Sequence, residues 1–63
     1  MMYAKIRKEK INKLPNYIKE DILYEIVRFA SKGVHVLIPL DNKNEYKVFF
    51  IYYDIINVVK EDK

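Results

Sequence analysis

One histidine, one serine, no cysteine and no threonine are all that this 63-residue chain offers to nucleophilic or acid–base chemistry. That chemistry needs a positioned base and a group for it to activate. Ser31 stands in Ser31-Lys32-Gly33, where a small polar residue suits the end of a helix. His35 alternates with Val34 and Val36 and reads as a rim histidine on the less apolar side of a strand. A zinc site with one imidazole and no thiolate would have to recruit carboxylates or a second chain. Glu20, Asp21 and Glu25 lie close together but read as a solvated helix face with the right sign for the macrodipole. No catalytic constellation, metal motif or cofactor motif emerges, so the expectation is a non-enzymatic protein with no cofactor, no metal and no small-molecule substrate.

Two other sets of residues point to binding. Lys5, Arg7, Lys8, Lys10 and Lys13 stand against a single Glu9, so residues 5–13 carry +4 of a formal net charge of +3 and the rest of the chain sums to −1. A local cluster of bases attracts phosphate backbones, whereas the same charge scattered would serve solubility. The second set is aromatic. Tyr17 and Tyr24 are seven residues apart and project from one side of a helix, where tyrosines add contact area and a polar handle for a partner. Phe49, Ile51 and Tyr53 form one side of a strand that is apolar on both faces. These five are the candidate partner interface, and the basic residues are the candidate nucleic-acid contact.

The elements that must position them follow from periodicity. Residues 3–13 fit a helix or a short strand in which Met2, Ala4 and Ile6 alternate with Tyr3, Lys5 and Arg7; the helix is the preferred reading. Leu14 ends it, because the residue before a proline is pushed out of helical dihedrals. Pro15 and Asn16 open the main amphipathic helix, running to about Ser31, with Ile18, Ile22, Leu23, Ile26, Val27, Phe29 and Ala30 on one half of the wheel and Gly33 as its C-cap. From Val34 the period becomes two: Val34, Val36, Ile38 and Leu40 face one way and His35, Leu37 and Pro39 the other. Pro39 marks an edge or the end of pairing. Residues 41–44, Asp-Asn-Lys-Asn, form a turn into a second strand, 45–53, so a β-hairpin is expected. Residues 55–59 make a third strand, unless residues 46–59 form one bent strand or the C-terminus is helical. The fold class is therefore α+β: an N-terminal helical segment and one main helix packed on a hairpin or three-stranded antiparallel meander, as a single domain.

A strand with two apolar faces belongs in the middle of a sheet, covered on both sides. The helix covers one, and a chain this short has nothing left for the other. A homodimer, or a protein or nucleic-acid partner, is the expected cover. No apolar run approaches the ~20 residues of a membrane span and the N-terminus lacks the block of a secretion signal, so no membrane contact and a cytoplasmic location are expected.

Leu14-Pro15-Asn16-Tyr17-Ile18-Lys19-Glu20-Asp21-Ile22-Leu23, with Tyr46-Lys47-Val48-Phe49-Phe50-Ile51-Tyr52-Tyr53-Asp54-Ile55-Ile56, resembles the helix and central strands of RelE/ParE-type toxins. In that family a Leu-Pro enters a helix and a Tyr-Arg-Val strand is central. Here Lys47 replaces the arginine, one strand is missing, and the C-terminal basic and aromatic residues of the family nucleases have no counterpart. The resemblance implies a minimal or degenerate toxin, RNA-cleaving or translation-interfering, with His35 and the basic residues as participants. It is the alternative to a small regulatory binding protein.

Overall fold

The computed structural model describes residues 1–40 and 45–61. Five strands form one antiparallel sheet: β1 (Met2–Ile6), β2 (Leu23–Phe29), β3 (Gly33–Pro39), β4 (Tyr46–Tyr52) and β5 (Ile56–Lys60), in the order β4-β3-β2-β1-β5. Short 3-10 helices occupy Lys8–Lys13 and Tyr53–Ile55. The described residues contain no α-helix, so the main helix over residues 16–31 and the helical reading of residues 3–13 are both corrected. Among the described residues no helix is long and apolar enough to cross a membrane.

The strand alternative for the N-terminus is the one realised. Ala4 and Ile6 are buried while Lys5 is exposed, the two-residue period of a half-covered strand. The helical stripe fails because Leu23–Phe29 also satisfies a strand: Tyr24 and Ile26 are buried, and β-branched and aromatic residues dominate the segment. Strand pairing on both sides then decides between the two periods. Leu23, Tyr24 and Glu25 pair with Lys5, Ala4 and Tyr3, whereas Ile26, Arg28 and Phe29 pair with Val36, His35 and Val34. The register shifts between Ile26 and Arg28, leaving Val27 as an extra residue. Such a bulge bends a strand and lets it pass from one sheet to another. β2 thus belongs to two sub-sheets, and the whole sheet curls around one core.

Ala4, Ile6, Tyr24, Ile26, Val34, Val36, Ile38, Ile51, Ile55 and Ile56 line the inside. Ile18, from the connection between β1 and β2, closes it, with Ile11 and Leu14 packed alongside. Leu14 is extended (φ −118°, ψ 158°), as a residue before proline should be. The Ile18 N–H then donates to the Pro15 carbonyl at 3.1 Å, turning the chain so that Ile18 drops inward.

The expected hairpin is present: β3 and β4 pair from Gly33↔Tyr52 to Pro39↔Tyr46. Its 41–44 turn lies outside the described residues. β4 lies at the edge of the sheet, not in its middle, because the following strand crosses over to β1, with Met2↔Lys60 to Ile6↔Ile56 in register. The meander is corrected accordingly. The crossover passes through the 3-10 turn at Tyr53–Ile55, where no tight hairpin sequence exists.

Gly33, expected as a helix C-cap, opens β3 instead. A Cβ there would collide with the Ile51 carbonyl oxygen and lie 2.8 Å from the Phe50 ring, so only glycine lets the hairpin backbones approach this closely. Gly33→Ala is expected to lower the unfolding free energy by about 2–3 kcal/mol, read as a lower urea midpoint at unchanged m-value. Val27→Ala, on the exposed bulge, should cost no more than about 0.5 kcal/mol in the same titration.

Candidate interaction face

Register in the β3–β4 hairpin decides which side chains face solvent. Val36 stands across from Phe49 and Val34 across from Ile51, so Phe49 and Ile51 share the core face. Tyr46, Val48, Phe50 and Tyr52 stand across from Pro39, Leu37, His35 and Gly33 on the outer face. Their exposures are 61, 55, 36 and 54%. His35 lies against Phe50 with ring centroids 5.0 Å apart and planes tilted by 57°, and Phe50 meets Tyr52 edge-on at 5.3 Å. Such pairs hold aromatic rings in place on a sheet surface.

The backbone of β4 is open along the same row. The Leu40 N–H donates to the Glu45 carbonyl at 3.0 Å and the Tyr53 N–H to the Lys32 carbonyl at 3.2 Å. Both are directly opposed pairs in one unbroken register, and in an antiparallel ladder hydrogen-bonded pairs recur at every second residue. Lys47, Phe49 and Ile51 therefore turn their amides toward β3, and Tyr46, Val48, Phe50 and Tyr52 turn theirs to the free edge. The same alternation points the missing N–H of Pro39 away from β4. On that side the β2–β3 ladder has already ended at Ile26↔Val36, so the proline deprives no neighbour of a bond.

The five aromatic and apolar candidates named from sequence separate. Ile51 is in the core, as is Tyr24, whose hydroxyl accepts the Lys19 N–H at 2.9 Å. Phe49 is half-buried at the rim, with Tyr17 edge-on at 6.4 Å and the Lys47 Nζ 5.7 Å from the Tyr17 ring centre. Tyr53 is at the surface but occupied locally, its hydroxyl donating to the Ala30 carbonyl at 2.7 Å. That bond ties the crossover turn to the β2–β3 turn, which closes through the Ala30 N–H donating to the Gly33 carbonyl at 2.8 Å. Tyr17 and Tyr24 do not share a face, since their seven-residue spacing aligns side chains only on a helix. The row Tyr46, Val48, Phe50 and Tyr52 takes their place. The register that sets Leu40 opposite Glu45 places Val36 over Phe49 and turns the even-numbered row outward, which the alternation within β4 does not show by itself.

The basic residues also divide. Arg7 braces the crossover, its N–H donating to the Ile55 carbonyl at 2.8 Å and its Nε to the Ile56 carbonyl at 3.1 Å. Lys5, Arg7 and Lys8 line a cleft of about 410 Å³ together with Glu9, Glu20 and Asp21. Folding thus adds two carboxylates, Glu20 and Asp21, beside a stretch that carries +4, which lowers its field for a polyanion without cancelling it. Lys10 and Lys13 sit on the 3-10 helix Lys8–Lys13, Lys10 half-buried and Lys13 exposed. Ser31 is exposed in the β2–β3 turn and His35 is engaged with Phe50. Among the described residues no three His, Cys, Asp or Glu side chains group as metal ligands.

Comparison of the chain with protein-family models, curated proteins and solved structures finds no match. The helix that the RelE/ParE resemblance implies over residues 14–23 is absent: residues 15–22 form turns and bends, and Leu23 begins β2.

Tyr24→Phe leaves the Lys19 amide without its acceptor. The expected cost is about 1 kcal/mol of folding stability, together with faster hydrogen exchange at the Lys19 amide by NMR.

Proposed function

We propose that this chain is a small non-enzymatic binding module that works as a homodimer and offers the outer face of its β3–β4 hairpin to a protein partner. The observation that carries this reading is the exposed row Tyr46, Val48, Phe50 and Tyr52 on an edge strand, flanked by His35, Leu37 and Pro39. The four residues of the row leave roughly 400–500 Å² in water, the size of the largest patch on a typical monomer, which is often a functional one. Tyrosine and phenylalanine held by neighbours make good anchors, because little rotamer freedom remains to be lost on binding.

A protein partner is favoured over nucleic acid by the charges around the row. Single-strand binding combines stacked aromatics with bases that track the phosphates. Among the residues of β2, β3 and β4, Arg28 is the one lysine or arginine whose register, across from His35, puts it on this face. Three of the five N-terminal bases, Lys5, Arg7 and Lys8, share a cleft with Glu9, Glu20 and Asp21.

The double variant Tyr46→Lys/Tyr52→Lys is expected to weaken self-association about tenfold or more while leaving the urea midpoint of the monomer close to wild type, as followed by light scattering and chemical unfolding. Lys5→Glu/Lys8→Glu/Lys13→Glu should leave association unchanged. A wild-type mass of 7.7 kDa at every concentration removes the dimer. Salt-dependent binding to single-stranded nucleic acid that the charge reversal abolishes replaces the protein partner with a polyanion.

A further inference from the structure

Resting on the homodimer reading, we infer that two copies join through their β4 edges, strand against strand, with the two-fold axis at Phe49. The backbone supports this first. The amides and carbonyls of Tyr46, Val48, Phe50 and Tyr52 point away from β3, and the strand is regular from Tyr46 to Tyr52. It has no proline, no bulge in its pairing with β3 and no charge on its outer row; its one guard is Lys47, on the core-side face across from Ile38. Antiparallel pairing about Phe49 sets Val48 opposite the partner's Phe50 and Tyr46 opposite the partner's Tyr52. Every free amide on the strand then has a carbonyl to bond.

The second argument is self-complementarity, which a two-fold contact requires because the same patch serves both sides. Across this axis tyrosine meets tyrosine and valine meets phenylalanine on the outer face, pairs that stabilise antiparallel sheets. No two like charges are opposed. Glu45 comes to the end of the partner's β4 where the turn into the crossover begins. One strand further in on that side is the partner's Lys32, whose carbonyl receives the amide of Tyr53 within the same chain. The two-fold makes the two ends of the seam identical, and at each of them Glu45 stands beside the partner's Tyr53 and Asp54. The product is a continuous sheet of ten strands whose outer face joins both aromatic rows into one platform, the surface offered to the protein partner. An edge seam is smaller than the ~800 Å² per side of a standard interface, so association rises with concentration over the accessible range.

The test separates the backbone from the side chains. Val48→Pro removes an edge amide without touching the β3–β4 bonds, and Val48→Thr keeps the amide at nearly the same shape. By sedimentation equilibrium the proline variant is expected to associate about tenfold more weakly or worse, and the threonine variant within about threefold of wild type. Hydrogen exchange on the unmodified protein gives an independent reading if the proline variant fails to fold. Protection that grows with concentration should appear at the amides of Tyr46, Val48, Phe50 and Tyr52, while those of Lys47, Phe49 and Ile51 are protected at every concentration. A dimer that persists with these four amides unprotected overturns edge pairing and leaves the homodimer standing as a face-to-face contact. A chain that stays monomeric up to millimolar concentration overturns both. Protection of the four amides that appears only on adding a second protein's strand assigns the edge to that partner and overturns self-pairing.

Discussion

The double pairing of β2 is the constraint on which the rest of the molecule depends. A flat five-stranded sheet has two faces and needs a second layer to bury either of them. Here the Val27 bulge lets β2 bond to β1 with its first half and to β3 with its second, so one sheet curls and becomes its own cover. Inward side chains from all five strands then meet in one core, and the connection between β1 and β2 contributes Ile18 to close it. A chain of this size without disulfides has few other ways to bury enough apolar surface.

That solution has a consequence for the outside. Once curling has used one face of every strand for the core, the residues at hand for a second layer are a 3-10 helix and a few turns. They pack at the open side of the curl, and the outer face of the hairpin stays bare. On a strand whose two faces are equally apolar, the uncovered row is a surface of the kind that partners recognise. Arg7, Tyr53 and Tyr24, which looked from sequence like contacts for other molecules, are held by bonds within the fold. Glu20 and Asp21, read as part of a helix face, instead share a cleft with the N-terminal bases.

Much of the hairpin was legible. Two-residue alternation from Val34, the break at Pro39 and apolar strands on either side of the 41–44 turn all correspond to observed structure, and the β-branched run after residue 55 becomes β5. The extended backbone at Leu14 follows from Pro15 alone. The main helix misled because residues 16–31 satisfy two periods at once. Ile18 and Ile26 are inward on either reading, while Ile22, Val27 and Phe29 complete a helical stripe but are exposed in the folded chain. What excluded the helix was hydrogen bonding from β1 and β3, some twenty residues away on one side and ten on the other, which a local pattern does not contain.

The sequence by itself determined the alternation of β3, the extended backbone before Pro15, and that residues 46–52 would carry more apolar surface than so short a chain can hide, because composition, proline and alternation act locally. Which row of that strand faces water, and which of its amides are free, was decided only by tertiary structure. Register converts parity into inside or outside, and register is set by the partner strand across the turn. The same holds for the bases at the N-terminus: their clustering is a property of the chain, but Glu20 and Asp21 reach the cleft beside Lys5, Arg7 and Lys8 only through folding.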